Sequence, residues 1–136
     1  KVFTERKIAH DAIVPAIVEP LTLDADSETK RRAAVQSATE GAAPKLGEYT
    51  DDVLFADLWR DPNLTARDRS LATVASLIAQ GQVAQLPFHL NRAMENGVTQ
   101  TEASEVVTHL AFYVGWPKAM SAVPFFREVF EARKKG

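Results

Sequence analysis

The side chain in this chain best suited to chemistry is His89. Gln82 and Gln85 precede it so that the three fall at i, i+3 and i+7, and they share one helical face if their helix begins early enough. Arg92 and Asn96 extend the same polar strip. A histidine in the first turns of a helix sits in the positive end of the helix dipole, which disfavours an added positive charge. The imidazole is then neutral near pH 7, ready to accept or relay a proton. An exposed polar face has the same spacing, so spacing alone leaves both readings open.

Three further groups carry chemistry-bearing side chains. Arg67-Asp68-Arg69 stands where a helix begins. A cation there opposes the dipole and needs an anionic partner, either Asp68 or a bound carboxylate, which a guanidinium grips with two parallel hydrogen bonds. Tyr113 and Trp116 flank a helix junction, where aromatics serve as core or as pocket wall. Glu102, Glu105 and His109 follow one another at helical spacing, set opposite the Val106 and Leu110 stripe. They offer carboxylate and imidazole ligands, but no second histidine lies at i+4. A solvated or subunit-facing strip is therefore expected in place of a metal site. His10 has no assigned role.

Composition removes several classes of function. The chain has 136 residues, 46% of them hydrophobic and 25% charged, which suits a single globular domain. It has no cysteine, so disulfides, thiolate metal sites and cysteine nucleophiles are all excluded. The net charge of −2 gives no field for nucleic acid, and Lys30-Arg31-Arg32 and Arg133-Lys134-Lys135 read as solvated helix ends. Leu71 to Ile78, the longest near-apolar stretch, is far short of the ~20 residues that span a bilayer. No GxGxxG, GxxxxGK[ST], HExxH or GxSxG pattern occurs, so nucleotide, zinc-protease and hydrolase readings lack support. No membrane partner is expected. Cytoplasmic residence is the expectation, and a start at Lys1 in place of Met leaves room for a removed leader.

The elements that must position these groups are helices, because no two-residue alternation runs long enough for a strand. Residues 1–26 read as an apolar arm broken by Pro15 and Pro20, and residues 27–136 as the helical domain. Asp26 and Ser27 are candidate caps for a polar helix over about 28–40. Thr50 is a candidate cap for a short helix over about 51–59. Thr65 to Asp68 resembles a capping pattern and opens the most buried helix, with Leu71, Val74, Ala75 and Ile78 as its stripe and Gly81 as its stop. Pro87 belongs in a first turn, and Asn96-Gly97 is a stop. Thr99-Gln-Thr-Glu102 is a capping box, Gly115 ends its helix, and Pro117 opens a last helix to about Arg133, with a kink expected at Pro124.

Leu58-Trp-Arg-Asp-Pro-Asn-Leu64, Arg67-Asp-Arg-Ser-Leu71, Leu86-Pro-Phe-His-Leu90, Glu95-Asn-Gly-Val-Thr99 and His109-Leu-Ala-Phe-Tyr-Val-Gly-Trp-Pro117 together resemble the carboxymuconolactone decarboxylase family over about residues 44–130. The resemblance implies an all-α, alkylhydroperoxidase D-like domain of about six helices with an N-terminal arm. One branch of that family uses a CxxC pair four residues before a histidine. The two cysteine positions fall at Gln82 and Gln85, so thiol peroxidase chemistry is excluded, while His89 is retained. The branch's supporting glutamate has no clear match, and Ser70 lies near its position.

The cysteine-free branch decarboxylates 4-carboxymuconolactone without metal or organic cofactor. The resemblance thus implies a lyase of aromatic catabolism acting on a small carboxylated lactone. His89 would be the acid–base residue, Arg69 the carboxylate or oxyanion clamp, Gln82 and Gln85 hydrogen-bond donors, and Tyr113 and Trp116 pocket walls. The alternative is a non-redox member that binds a small organic acid or hydrolyses a lactone. The family forms rings, so a homo-oligomer is expected, a trimer or a hexamer built as a trimer of dimers. Two stretches depart from the decarboxylase pattern, Val53-Leu-Phe-Ala-Asp57 and Val114-Gly-Trp-Pro117, both where pocket walls are expected. They leave the substrate open.

Overall fold

The computed structural model describes residues 24–136, so most of the expected N-terminal arm, His10 included, lies outside the described residues. The described residues are all-α, with six α-helices and no strand among them: α1 Ala25–Thr39, α2 Pro44–Tyr49, α3 Ala66–Gln80, α4 Leu86–Glu95, α5 Gln100–Val114 and α6 Trp116–Lys135. They divide into two units at Thr65.

In the first unit, α1 starts a turn earlier than the sequence suggests. Asp24, and not Asp26 or Ser27, is the cap: its Oδ2 accepts from the Ser27 amide and from the Ser27 hydroxyl, each at 3.0 Å. Asp26 and Glu28 then sit in the first turn, where the helix dipole favours negative charge. The helix has almost no apolar face, and its one buried residue is Arg31. That overturns the reading of Lys30-Arg31-Arg32 as a wholly solvated run.

Arg31 is only 4% exposed. Its Nε donates to Glu28 at 2.9 Å, its Nη1 to Asp51 at 2.7 Å, and its guanidinium lies 4.2 Å from the centre of the Phe55 ring. Phe55 in turn stacks on Trp59, with ring centres 6.1 Å apart. A buried cation is tolerated when charge and hydrogen bonds are both matched, and here they are. Gly47 lets α2 approach α1 closely, since a Cβ there would stand 2.5 Å from Thr39 Oγ1.

The expected helix over 51–59, capped by Thr50, is not what forms. The segment begins at Pro44, in the first turn where its missing amide costs nothing, and runs on without a break into a π-helical stretch, Thr50–Phe55. The Thr50 hydroxyl donates back to Leu46 O at 2.7 Å, so it is inside the segment and caps nothing. The Ala56 amide reaches Asp51 O at 3.1 Å, the wide i→i−5 bond of a π turn. A short 3₁₀ turn, Leu58–Arg60, follows.

In the second unit the apolar stripes do what their spacing predicts. Val74 and Ile78 of α3, Leu86, Leu90 and Ala93 of α4, Ala103 and Val107 of α5, and Ala119, Ala122, Phe126 and Val129 of α6 form one buried core with Val98. Each set recurs at three or four residues, which keeps it on one side of its helix. α5 packs on α6, and α4 on both α3 and α6. α3 is less buried than expected: Ala72 and Ser76 are exposed, so only one face is sealed.

Polar contacts fix the helix ends. The capping box is complete: Thr99 Oγ1 accepts from the Glu102 amide at 3.1 Å, and Glu102 Oε2 accepts from the Thr99 amide at 2.9 Å. Buried Ser70 donates to Ala66 O at 2.8 Å and accepts from Asn96 Nδ2 at 2.9 Å, tying α3 to the end of α4. Lys118 donates to Ala79 O at 2.8 Å, placing a cation at the negative end of α3. Gly115 has φ of +106°, a backbone that residues with a Cβ rarely adopt, and this turns the chain from α5 into α6. α6 is assigned as one helix through Pro124, from Trp116 to Lys135.

Candidate functional site

α4 opens at Leu86, with Pro87 in its first turn, so His89 is its fourth residue. Gln82 and Gln85 lie before it, the former ahead of the 3₁₀ turn Val83–Gln85 and the latter closing that turn. The helix therefore starts too late for Gln82, Gln85 and His89 to share one helical face, and both glutamines are exposed. Pro87 is the local reason, because it favours a helix start just ahead of itself.

His89 is half-buried, edge-on to the Phe88 ring with centres 5.0 Å apart. Its Nδ1 is sealed from solvent and has no hydrogen-bond partner among the described residues. Burial holds the imidazole below the ordinary value of 6.5, and the nearby charge of Arg92 pushes the same way. The neutral ring expected from the sequence is therefore supported, with desolvation as the leading cause.

One turn on, Arg92 is 7% exposed. The sequence placed it on a polar strip; the fold buries it. Its guanidinium lies 5.6 Å from the centre of the Phe88 ring, and it makes no hydrogen bond or ion pair with the described residues. The signal available beforehand was its position three residues after His89, between Leu90 and Ala93, which both turn into the core. Asn96, the last member of that strip, is committed to Ser70.

Arg69 is half-buried near the start of α3. Its neighbour Arg67 finds its close anionic partner in Glu102 at 2.6 Å, with the expected Asp68 only loosely placed at 3.5 Å. Tyr113 and Trp116 are strongly exposed. Trp116 lines an open groove of about 430 Å³ between α5 and α6, with Met120, Val123 and Phe130. A second open groove, about 610 Å³, brings Glu105 and His109 together with Val106 and Leu110, which the sequence set on opposite sides. His89, Arg69, Gln82, Gln85 and Tyr113 line none of the grooves described on residues 66–136.

Glu102 spends its oxygens on Thr99 and Arg67, and His109 stacks on Tyr113 at 4.6 Å. Among the described residues no group of three histidines or carboxylates is placed to hold a metal ion. No helix among them is long and apolar enough to cross a membrane.

Comparison with known proteins adds an independent line. The model of the carboxymuconolactone decarboxylase family matches residues 44–128. The chain is 36% identical over 77 residues to 4-carboxymuconolactone decarboxylase of Acinetobacter baylyi, covering 57% of this chain and 58% of that protein. It is 33% identical over 90 residues to nitrosuccinic acid decarboxylase of Metarhizium robertsii, covering 66% of this chain and 62% of that protein. The chain thus spans about six tenths of the length of these curated relatives.

Proposed function

Because the chain belongs to the carboxymuconolactone decarboxylase family, we propose that it is a cofactor-independent decarboxylase of a small carboxylated lactone such as 4-carboxymuconolactone, with His89 as its acid–base residue. The observation that carries this is a half-buried histidine, kept neutral by desolvation, inside the matched residues. The relatives' names supply the chemistry. In 4-carboxymuconolactone and in nitrosuccinate alike, the departing carboxylate sits next to an electron sink, a conjugated lactone carbonyl or a nitro group. A second carboxylate stays behind.

The step balances simply. The carbon–carbon bond to the carboxylate breaks, carbon dioxide leaves, and the electron pair moves into the sink as a dienolate or nitronate. One proton must then reach carbon. An anionic substrate beside His89 raises the proton affinity of the ring, so the site takes up a proton on binding and delivers it to carbon after carbon dioxide departs. Arg69 is the candidate to hold the oxyanion. Gln82, Gln85, Tyr113 and Trp116 gain no support as walls of the same pocket from the described grooves.

Carbon dioxide release from 4-carboxymuconolactone and from nitrosuccinate tests the reading. The expected result is turnover that falls about 10²- to 10⁴-fold in His89→Gln. No release above that variant would refute it. A second reading, binding of a small acid without turnover, is favoured by the absence of His89 from the described grooves. Acid binding by calorimetry with no release would establish that reading instead.

The reading includes assembly as a trimer or hexamer. Phe112, Tyr113, Trp116 and Met120, between 55% and 78% exposed, make an apolar ridge larger than isolated surface residues would. Light scattering at micromolar concentration should give a multiple of the 15.0 kDa chain mass. A monomer would overturn this part.

A further inference from the structure

Arg92 is more than nine-tenths buried, yet its guanidinium has no anion and no hydrogen-bond acceptor among the described residues. Its nitrogens are not among the sealed polar atoms, so the fork is held by buried surface at its stem while its donors remain reachable from solvent. Two observations bear on a ligand there. It stands one helical turn from His89 on α4, and the buried Nδ1 of His89 is likewise without a partner among the described residues. A fork of guanidinium donors beside an imidazole that can hold a proton fits a planar anion with two acceptor oxygens.

We propose that Arg92 is the carboxylate-binding residue of the His89 site, gripping the carboxylate that the substrate retains while the other leaves as carbon dioxide. This rests on the decarboxylase reading for the identity of the substrate, but not for the binding of a carboxylate. The role differs from that of Arg69, the candidate for the developing oxyanion. The ligand class is a small dicarboxylate whose two acid groups are separated by about two carbons, the skeleton that nitrosuccinate shares with succinate.

The test uses the full chain, with succinate as the binding probe in calorimetry and 4-carboxymuconolactone and nitrosuccinate as the turnover probes. Arg92→Gln should weaken succinate binding at least 30-fold. Arg92→Lys, which keeps the charge but loses the fork, should weaken it about 10-fold. Arg92→Met guards against misfolding. Because no acid or acceptor of the described residues answers the guanidinium, its removal should leave the melting temperature unchanged.

Succinate binding by Arg92→Gln within twofold of the unaltered chain would overturn the proposal. So would failure of the unaltered chain to bind succinate at millimolar concentration. A fall in assembly mass in Arg92→Gln with succinate binding unchanged would also overturn it, assigning Arg92 to an acidic side chain of a second copy. The decarboxylase reading fails separately. Arg92-dependent binding without carbon dioxide release leaves the clamp standing. Release that survives Arg92→Gln at full rate removes the clamp and leaves the enzyme.

Discussion

Arg31 and Arg92 are both buried arginines on helices, and the fold treats them in opposite ways. Arg31 is enclosed by Glu28, Asp51 and the Phe55 face, so its charge and its donors are answered inside residues 24–65. Arg92 has the Phe88 ring beside it and no acid among the described residues. The cation–π contact contributes about 0.5–2 kcal/mol and holds the guanidinium in place, while its nitrogens, which are not among the sealed polar atoms, stay open to an outside acceptor. The first arginine is a completed structural device. The second has no ion pair or hydrogen bond with the described residues.

The largest effect is expected at Arg31. Arg31→Gln should lower the stability of residues 24–65 by about 3 kcal/mol, because it strands Asp51, leaves Glu28 with Arg32 alone and uncovers Phe55. Chemical denaturation monitored by Trp59 fluorescence checks this, and a change under 1 kcal/mol would show the network to be ornamental.

A smaller effect follows in acid. Donation from Arg31 holds the Glu28 carboxyl down at about 2, below its ordinary 4.5. A lowered folded value means that the unfolded chain binds more protons. The stabilisation, about 2 kcal/mol after allowance for solvent screening, is present above pH 4.5 and lost as pH falls toward 2. Glu28→Gln should flatten that limb of the acid-unfolding curve.

The smallest expected effect is at His89, where the sign is opposite in origin but similar in direction. Its folded value lies below 6.5, so the unfolded chain takes up the extra proton first and stability falls as pH drops below that point. In catalysis the same shift should make kcat/KM fall as pH rises past the lowered value of the free protein. Turnover at saturating substrate should hold to higher pH, since a bound anion raises the affinity of the ring for its proton. Coincident profiles for the two would argue against a proton taken up on binding.

Much of this fold is legible in sequence because its signals are local. Thr99 and Glu102 cap one another across three residues, Gly115 and Pro117 punctuate the last junction, and the stripes from Val74 to Val129 follow helical spacing. What resists reading is set by contacts distant in the chain. Arg31 looks like one member of a basic run until Asp51 and Phe55 come to it, and the π turn at Thr50–Phe55 has no compositional mark. Of the candidate site, the lowered proton affinity of His89 is anticipated in direction, though from the helix dipole where burial is the leading cause. The glutamine strip dissolves because Pro87 delays the helix, and the burial of Arg92 depends on how α4 packs.

The central claim is that one buried arginine holds the fold and the other holds substrate. The most direct measurement is kcat/KM for carbon dioxide release from 4-carboxymuconolactone and nitrosuccinate, per folded molecule, in Arg92→Gln and in Arg31→Gln. At least a 30-fold loss is expected in Arg92→Gln at unchanged melting temperature, and a loss under threefold in the less stable Arg31→Gln. Equal losses in the two, or full activity in Arg92→Gln, would contradict it.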